Sequence, residues 1–294
     1  MINFDSCSKK RVSYIIPTKN RASYLDEALM RCRKLKGPDD EVIVIDGGST
    51  DGTKEIVKKY PDVVDIFVSE PDLDGCHGQN KGLLLANGKY TRLLADDDIT
   101  HKEGIEQAVS IMEAHSEIDI LLCGGVKEDT KGKQFIPYLS LGTNFGENIE
   151  DAFKYPGIVS GCGHIVRRKS MARFGLFPFG FNADNVFVLN FLRYGATVRY
   201  ARINLYHHAL QSDSITVRNG AAQKLHMLHL AKKYCSTPFF IKFLARETWK
   251  NNVFLRPFRF AALALRRKTY KEYKKIFNIP KKPKLEYVWD GKIA

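Results

Sequence analysis

Short apolar runs alternate with amphipathic segments along the first 125 residues. RVSYIIP (11–17) is rich in β-branched and aromatic side chains and stops at Pro17, the pattern of a buried strand. A capping-box spacing from Ser23 to Asp26 then opens a helix. Its Leu25, Ala28, Leu29 and Cys32 recur at helical intervals until Gly37-Pro38 ends it. EVIVID (41–46) predicts a second buried strand, STDGTKEIVKKY a second helix and DIFVSE (65–70) a third strand. A helix across QNKGLLLANG leads to the strand YTRLLA (90–95). KEGIEQAVSIMEAH (102–115) predicts a helix before the strand DILLCGG (119–125).

This alternation predicts an α/β fold whose mainly parallel sheet is flanked by helices on both faces. In such sheets ligands bind beyond the carboxyl ends of the strands. Pro17-Thr18, Asp46-Gly47-Gly48 and Asp96-Asp97-Asp98 all fall at such ends. After residue 125 the pattern gives way to loops with short elements. GHIVRRKSMARFG then reads as a strand running into a helix, and DNVFVLNFLRYG (184–195) as an amphipathic helix opening with Asp184.

Composition narrows the classes. No apolar stretch approaches the roughly 20 residues that span a bilayer. The first residues carry charges and lack a small-residue cleavage site, so secretion is not expected. Six scattered cysteines without a C-x-x-C pair suit reduced thiols in a cytoplasmic protein. Charge divides the chain unevenly. From Lys232 to Ala294 there are 17 Lys/Arg against 4 Asp/Glu, which accounts for the whole net charge of +13. A main domain over 1–231 and a basic, helical C-terminal extension over 232–294 follow from that division.

Three adjacent carboxylates at 96–98 repel one another unless a cation, N–H donors or water relieves them. A solvated loop with an Asp at a helix N-cap would satisfy this, and so would a divalent-metal site, since Mg2+ and Mn2+ take hard oxygen ligands. DGGSTDGT is not a dinucleotide fingerprint, and no phosphate-binding G-x-x-x-x-G-K-[ST] occurs. Asp46 at its strand end can be a turn former, or can accept from a base N–H or a ribose hydroxyl. His207 and His208 are adjacent, so on a strand they would point to opposite faces.

In order and spacing, VSYIIPTKNRASYLDEAL, EVIVIDGGSTDGT and SEPDLDGCHGQNKGLLLANGKYTRLLADDD resemble the donor-binding half of the inverting glycosyltransferases of family 2, which have the GT-A fold. The likeness is close over about 12–115 and fainter over 158–195. It implies a donor half at about 12–125, an acceptor half at about 126–231, a nucleotide-sugar donor (a UDP-sugar first), and Mn2+ or Mg2+. The acceptor would be a glycan or lipid-linked hydroxyl in bacterial cell-surface polysaccharide synthesis. Position by position it implies that Pro17 and Thr18 cradle the base and Asp46 reads it, with Asn20 a further nucleotide-sugar-binding residue. Asp96 would lie near the ribose or sugar, Asp97 would be the first choice of metal ligand, and Asp98 its neighbour or a helix cap. Asp184 would be the acceptor-side base. Ala95 stands where the family often has Asp, which leaves the ligand open among Asp96, Asp97 and Asp98. Gln79 replaces a frequent Arg, so Lys81 or Arg21 are alternative phosphate partners. His207 or His208 is a further metal-ligand candidate. The same departures admit an inactive nucleotide-sugar-binding protein as the alternative.

In the extension, cations interleave with Phe, Leu, Trp and Tyr over 237–277, with Pro257 as a break. Such a segment can rest its apolar side on an anionic membrane, here the inner face of the cell membrane. No nucleic-acid-binding motif occurs, nucleic acid is not an expected partner, and the oligomeric state is left open.

Overall fold

In the computed structural model, which describes residues 10–128, 134–135, 148–154, 161–180, 182–209 and 220–251, the first apolar run forms β1 (Lys10–Thr18). Its alternate residues serve two sides of a sheet. Val12, Tyr14 and Ile16 pack with Leu25, Leu29 and Cys32 of α1 (Ala22–Leu35) and with Val42 and Val44 of β2 (Glu41–Asp46). Ile15 faces the other way, against Gly82 of α3 (Gly75–Leu85). A strand covered on both faces needs no polar alternation, so residues 14–16 of β1 and 42–45 of β2 read as unbroken apolar runs.

α2 (Thr53–Lys58), β3 (Ile66–Ser69), β4 (Gly88–Leu93), β5 (Ile99–Thr100), α4 (Lys102–Ala114) and β6 (Ile120–Glu128) continue the alternation. Then come β7 (Gln134–Phe135), α5 (Asp151–Lys154), a 3-10 turn (Gly161–Gly163), β8 (His164–Arg167), a second 3-10 turn (Arg168–Ser170), α6 (Met171–Phe174), α7 (Ala183–Arg193) and β9 (Val198–Ala209). The sheet runs β3-β2-β1-β4-β8-β6-β9-β5, with β7 paired to β6. It is parallel across β3-β2-β1-β4 and mixed beyond, where β8 lies antiparallel to β4 and β6 and β5 antiparallel to β9. The chain leaves β1 toward β2 on one side, yet β4 returns on the other. β1 and β4 therefore flank a topological switch point, the crevice where such sheets take ligands.

Two helix starts differ from the sequence reading. α1 begins at Ala22 without the Ser23–Asp26 capping box: the Ala22 N–H donates to Asp51 Oδ2 at 3.0 Å, and Asp26 accepts from Tyr60 Oη at 2.8 Å. A carboxylate from the next loop replaces the local cap. α3 begins at Gly75, four residues before QNKG, because Asp74 caps it by accepting the His77 N–H at 2.9 Å.

β6 and β9 pair in parallel with register shifts on both sides of Gly124, so Cys123 faces Ala201, Gly124 faces Asn204 and Gly125 faces Tyr206. Bulges of this kind re-aim the side chains that follow, here His207 and His208. A Cβ on Gly125 would stand 2.4 Å from the Tyr206 carbonyl oxygen. Gly125→Ala should therefore cost about 1–3 kcal/mol by overpacking, read from the denaturant midpoint; an unshifted midpoint would contradict this packing.

The chain divides into two compact units between His226 and Met227. α8 (Gly220–Tyr234) crosses that boundary, and α9 (Thr237–Asn251) belongs to the second unit. In α9, Phe239 and Phe243 stack at 6.1 Å, while Ile241 and Leu244 are exposed. No helix among the described residues is long and apolar enough to cross a membrane. Pro257 and the rest of the extension beyond Asn251 lie outside the described residues, as does Cys7. The five described cysteines are free thiols.

Candidate active site

β1, β2 and β4 end side by side, which brings Thr18, Asp46 and the Asp96–Asp98 run to one edge. Asp46 is fully buried. Its carboxylate accepts the Ser49 N–H at 3.1 Å and the hydroxyls of Ser49 and of Ser69, the latter at 2.6 Å. Asn20, in the left-handed region at φ 53°, donates its N–H to Ser49 Oγ at 2.7 Å and accepts the Thr50 N–H at 2.9 Å. The loops after β1 and β2 are thus laced together before any ligand arrives.

The three carboxylates escape mutual repulsion by splitting between two cations. Arg21 Nε bonds both Asp96 oxygens at 2.9 Å and its Nη2 reaches Asp97 Oδ2 at 3.0 Å. Thr18 Oγ1 donates to Asp96 Oδ2 at 3.3 Å, and Arg31 holds the Asp96 carbonyl at 2.8 Å. Burial raises the Asp96 carboxyl above its ordinary range, and Arg21 opposes that rise.

Asp98 turns elsewhere. In the antiparallel β5–β9 pair Ile99 faces His207, so one further step sets Asp98 opposite His208. The pair meets at 2.5 Å, Asp98 Oδ1 to His208 Nδ1. That hydrogen bond, with a second that the imidazolium donates to Cys162, pushes the His208 pKa up to about 10. His207 points to the other face, 3.3 Å from Glu128 Oε2. Asp98 is not a helix cap, correcting that expectation: α4 starts at Lys102 with His101 at its N-cap. Ligand atoms of Asp98, Cys162 and His208 lie within 4.8 Å of one another, a set able to hold a divalent ion. Asp97 lies outside it, on Arg21.

Cys162 sits in the Gly161–Gly163 turn, and a buried cation fixes that turn. Arg92 of β4, 1% exposed, donates to the carbonyls of Gly161 at 3.1 Å, Cys162 at 2.6 Å and His164 at 3.4 Å. The same turn touches Asp184, in the first turn of α7: the Gly161 N–H donates to Asp184 Oδ2 at 3.0 Å. Although Asp184 keeps some solvent contact, the surrounding protein desolvates it and raises its pKa; the Gly161 N–H and Lys127 oppose this.

α3 supplies the remaining candidates. Lys81 already pairs with Asp72 at 2.7 Å and Glu70 at 2.9 Å, so like Arg21 it carries carboxylate partners in this state. Gln79 Oε1 is buried without a hydrogen-bond partner among the described residues. Pro17 lies under α3 beside Gly78. Asn80 ties α3 to the approach of α7, donating to the Phe177 carbonyl at 2.8 Å and accepting its N–H at 3.0 Å. Arg92, Cys162, Arg31 and Asn80 are absent from the sequence-derived set. Only Arg92 left a signal, a cation inside the apolar run YTRLLA.

Comparison with known proteins bears on the fold and the family. The family model described as glycosyl transferase family 2 matches residues 13–174, more than half of the chain. The poly(ribitol-phosphate) β-N-acetylglucosaminyltransferase TarS of Staphylococcus aureus is 32% identical over 117 residues, 38% of this chain and 20% of that protein. An uncharacterized glycosyltransferase of Rickettsia typhi is 25% identical over 170 residues, 56% of this chain and 53% of the other. The chain thus spans about half or less of these relatives' lengths. Among solved structures, S. aureus TarS 1–349 with UDP-GlcNAc superposes with a TM-score of 0.62 at 18% identity, over 82% of this chain and 73% of the other. The Pyrobaculum calidifontis mannosyltransferase PcManGT with GDP-Man and Mn2+ gives 0.58 at 17%, over 91% and 84%. The order of strands, the carboxylate run at the switch point and the family match converge: the chain has the GT-A fold and belongs to glycosyl transferase family 2.

Proposed function

We propose that the chain transfers a sugar, with inversion, from a nucleotide-sugar donor to a hydroxyl of a glycan or lipid-linked acceptor, in making a bacterial cell-surface polysaccharide. One observation carries the reading: the turn at 161–163 joins a desolvated carboxylate, Asp184, to the Asp98–His208 pair at the switch point. A UDP-sugar is the first donor to test, since the TarS structure that superposes holds UDP-GlcNAc. TarS is named for transfer to poly(ribitol-phosphate), and TuaG of Bacillus subtilis, a second relative, for teichuronic acid biosynthesis.

Thr18 and Asn20 flank the crevice where the base would lie, and Asp46 lies buried at its floor, reaching the base only by exchanging a Ser49 or Ser69 hydrogen bond for it. Asp96, held by Arg21, meets the ribose or the sugar. Asp184 takes the proton of the attacking acceptor hydroxyl, and its raised pKa brings it nearer the range where a general base works best. The donor set of Asp98 and His208 fits a divalent ion, whose bound charge would stabilise the departing diphosphate. Gln79, with its unpaired Oε1, lies where family members often have an Arg facing that group. A thermal-shift panel of UDP-, GDP- and dTDP-sugars with and without Mn2+ tests the reading. It expects one nucleotide class to stabilise the protein more with the ion; no shift from any donor would contradict it.

The basic extension fits an anionic membrane surface. Each Lys or Arg near such a surface contributes about 1 kcal/mol, so a segment like 237–277 suffices for reversible attachment. The full chain should sediment with anionic liposomes at low salt and a chain ending near Ser236 should not. Equal sedimentation of both, or of neither, would remove the membrane contact.

A further inference from the structure

Neither the donor nor the base uses Cys162. Its thiol nevertheless lies with Asp98 and His208, all three ligand atoms within 4.8 Å. We propose that Cys162 is a thiolate ligand, completing a carboxylate–imidazole–thiolate set that favours Zn2+, Co2+ or Fe2+ over Mg2+. This rests on the reading of the same edge as the ion site.

Three observations support the assignment. The spacing suits a small ion: with bonds of about 2.0–2.3 Å, ligand atoms around a four-coordinate ion lie roughly 3.5 Å apart. Asp98 and His208, now 2.5 Å apart, would part by about 1 Å to admit it, and the His208 proton that now bridges them would be released to solvent. The turn is also held in place rather than left to find the ion. Arg92 is buried, where an unsatisfied cation is costly, and its two Nη groups donate to the carbonyls of Gly161, Cys162 and His164 and to Thr100 Oγ1, while Nε has no partner among the described residues. That fixes the backbone from which the thiol projects. Finally, three protein ligands leave one position of a tetrahedral ion open to a diphosphate oxygen, the pattern of catalytic rather than structural sites.

The chemistry separates this set from an all-oxygen one. Thiolate favours softer ions, whereas carboxylate and water suit Mg2+ and Mn2+. Arg92 becomes a positioning residue on this account, acting through the turn and not through the ion.

Titration of the full chain with Co2+, without donor, tests the proposal. A thiolate-to-Co2+ charge-transfer band is expected in the near ultraviolet. Cys162→Ser should abolish it while Cys76→Ser keeps it, and the preference for Zn2+ over Mg2+ should fall at least about tenfold in Cys162→Ser. On the unmodified chain, Zn2+ should protect Cys162 from alkylation, mapped by mass spectrometry, and Mg2+ should not. That second measurement stands even if the variant fails to fold. No band, a band unchanged in Cys162→Ser, or no protection by Zn2+ would overturn the proposal. If donor binding still responds to Mn2+ in that case, the ion site stands without its thiolate. If no divalent ion alters donor binding in the wild-type chain, the site reading falls and the proposal falls with it.

Discussion

Asp184→Asn should abolish sugar transfer, by at least roughly 10²-fold, and raise thermal stability at neutral pH. The two effects share one cause. Asp184 is desolvated, so its ionised form is disfavoured and its pKa lies above the ordinary carboxylate value. A carboxyl with a raised folded-state pKa contributes stability that is fully present below its unfolded value and is lost as pH rises through its folded value. Asparagine keeps the shape and can still accept the Gly161 N–H through Oδ1, yet carries no charge to desolvate. It cannot take a proton from an acceptor hydroxyl. Scanning calorimetry at pH 7 should show a higher Tm for the variant, with the gain vanishing below about pH 4. Donor affinity should be unchanged, since the base meets the acceptor. Loss of donor affinity would make Asp184 structural, and a lower Tm would contradict the desolvated carboxylate.

Asp98→Asn should remove the ion-dependent part of nucleotide-sugar affinity, about 10- to 100-fold or more, and transfer with it. Asp98 is the member of the carboxylate run that meets His208, while Asp96 and Asp97 are occupied by Arg21. Asp97→Asn should therefore have the smaller effect, since it forfeits one of the Arg21 contacts and no ligand. Calorimetric titration of the chosen donor with and without Mn2+ distinguishes the two variants. Ion dependence lost in Asp97→Asn and kept in Asp98→Asn would return the ligand to the position that the family resemblance suggests.

Much of the donor half can be read from the sequence because its determinants are local. β1 and β2 are apolar runs buried on both faces, α1 repeats Leu25, Ala28, Leu29 and Cys32 on one side, and the turns after them end at strand termini. Thr18, Asp46 and the 96–98 run follow at once from those ends. What sequence spacing could not divide was the carboxylate run itself. Which Asp goes to Arg21 and which to His208 depends on β5 pairing with β9, across 110 residues, and on bulges beside Gly124 that no local pattern marks. The adjacent histidines illustrate this: their opposite orientations were readable, but not that His208 would be the one on the Asp98 side. Helix starts failed for the same reason. Asp51 caps α1 from another loop, so Ser23 and Asp26 matched a motif that the fold does not use. Arg92 was the overlooked local clue. A cation within an apolar strand must find partners inside the protein, and here they are the carbonyls that fix Cys162 and Gly161.

Glycosyl transfer itself is tested most directly by following nucleoside diphosphate release from the donor chosen by the thermal-shift panel, by anion-exchange chromatography of quenched samples, in the presence of Mn2+. The wild-type chain should release the diphosphate and accelerate on addition of a hydroxyl acceptor, while Asp184→Asn binds the donor and leaves it intact. Release by Asp184→Asn at the wild-type rate, or a donor that binds the wild-type chain and is never cleaved with any glycan or lipid-linked acceptor, would contradict it.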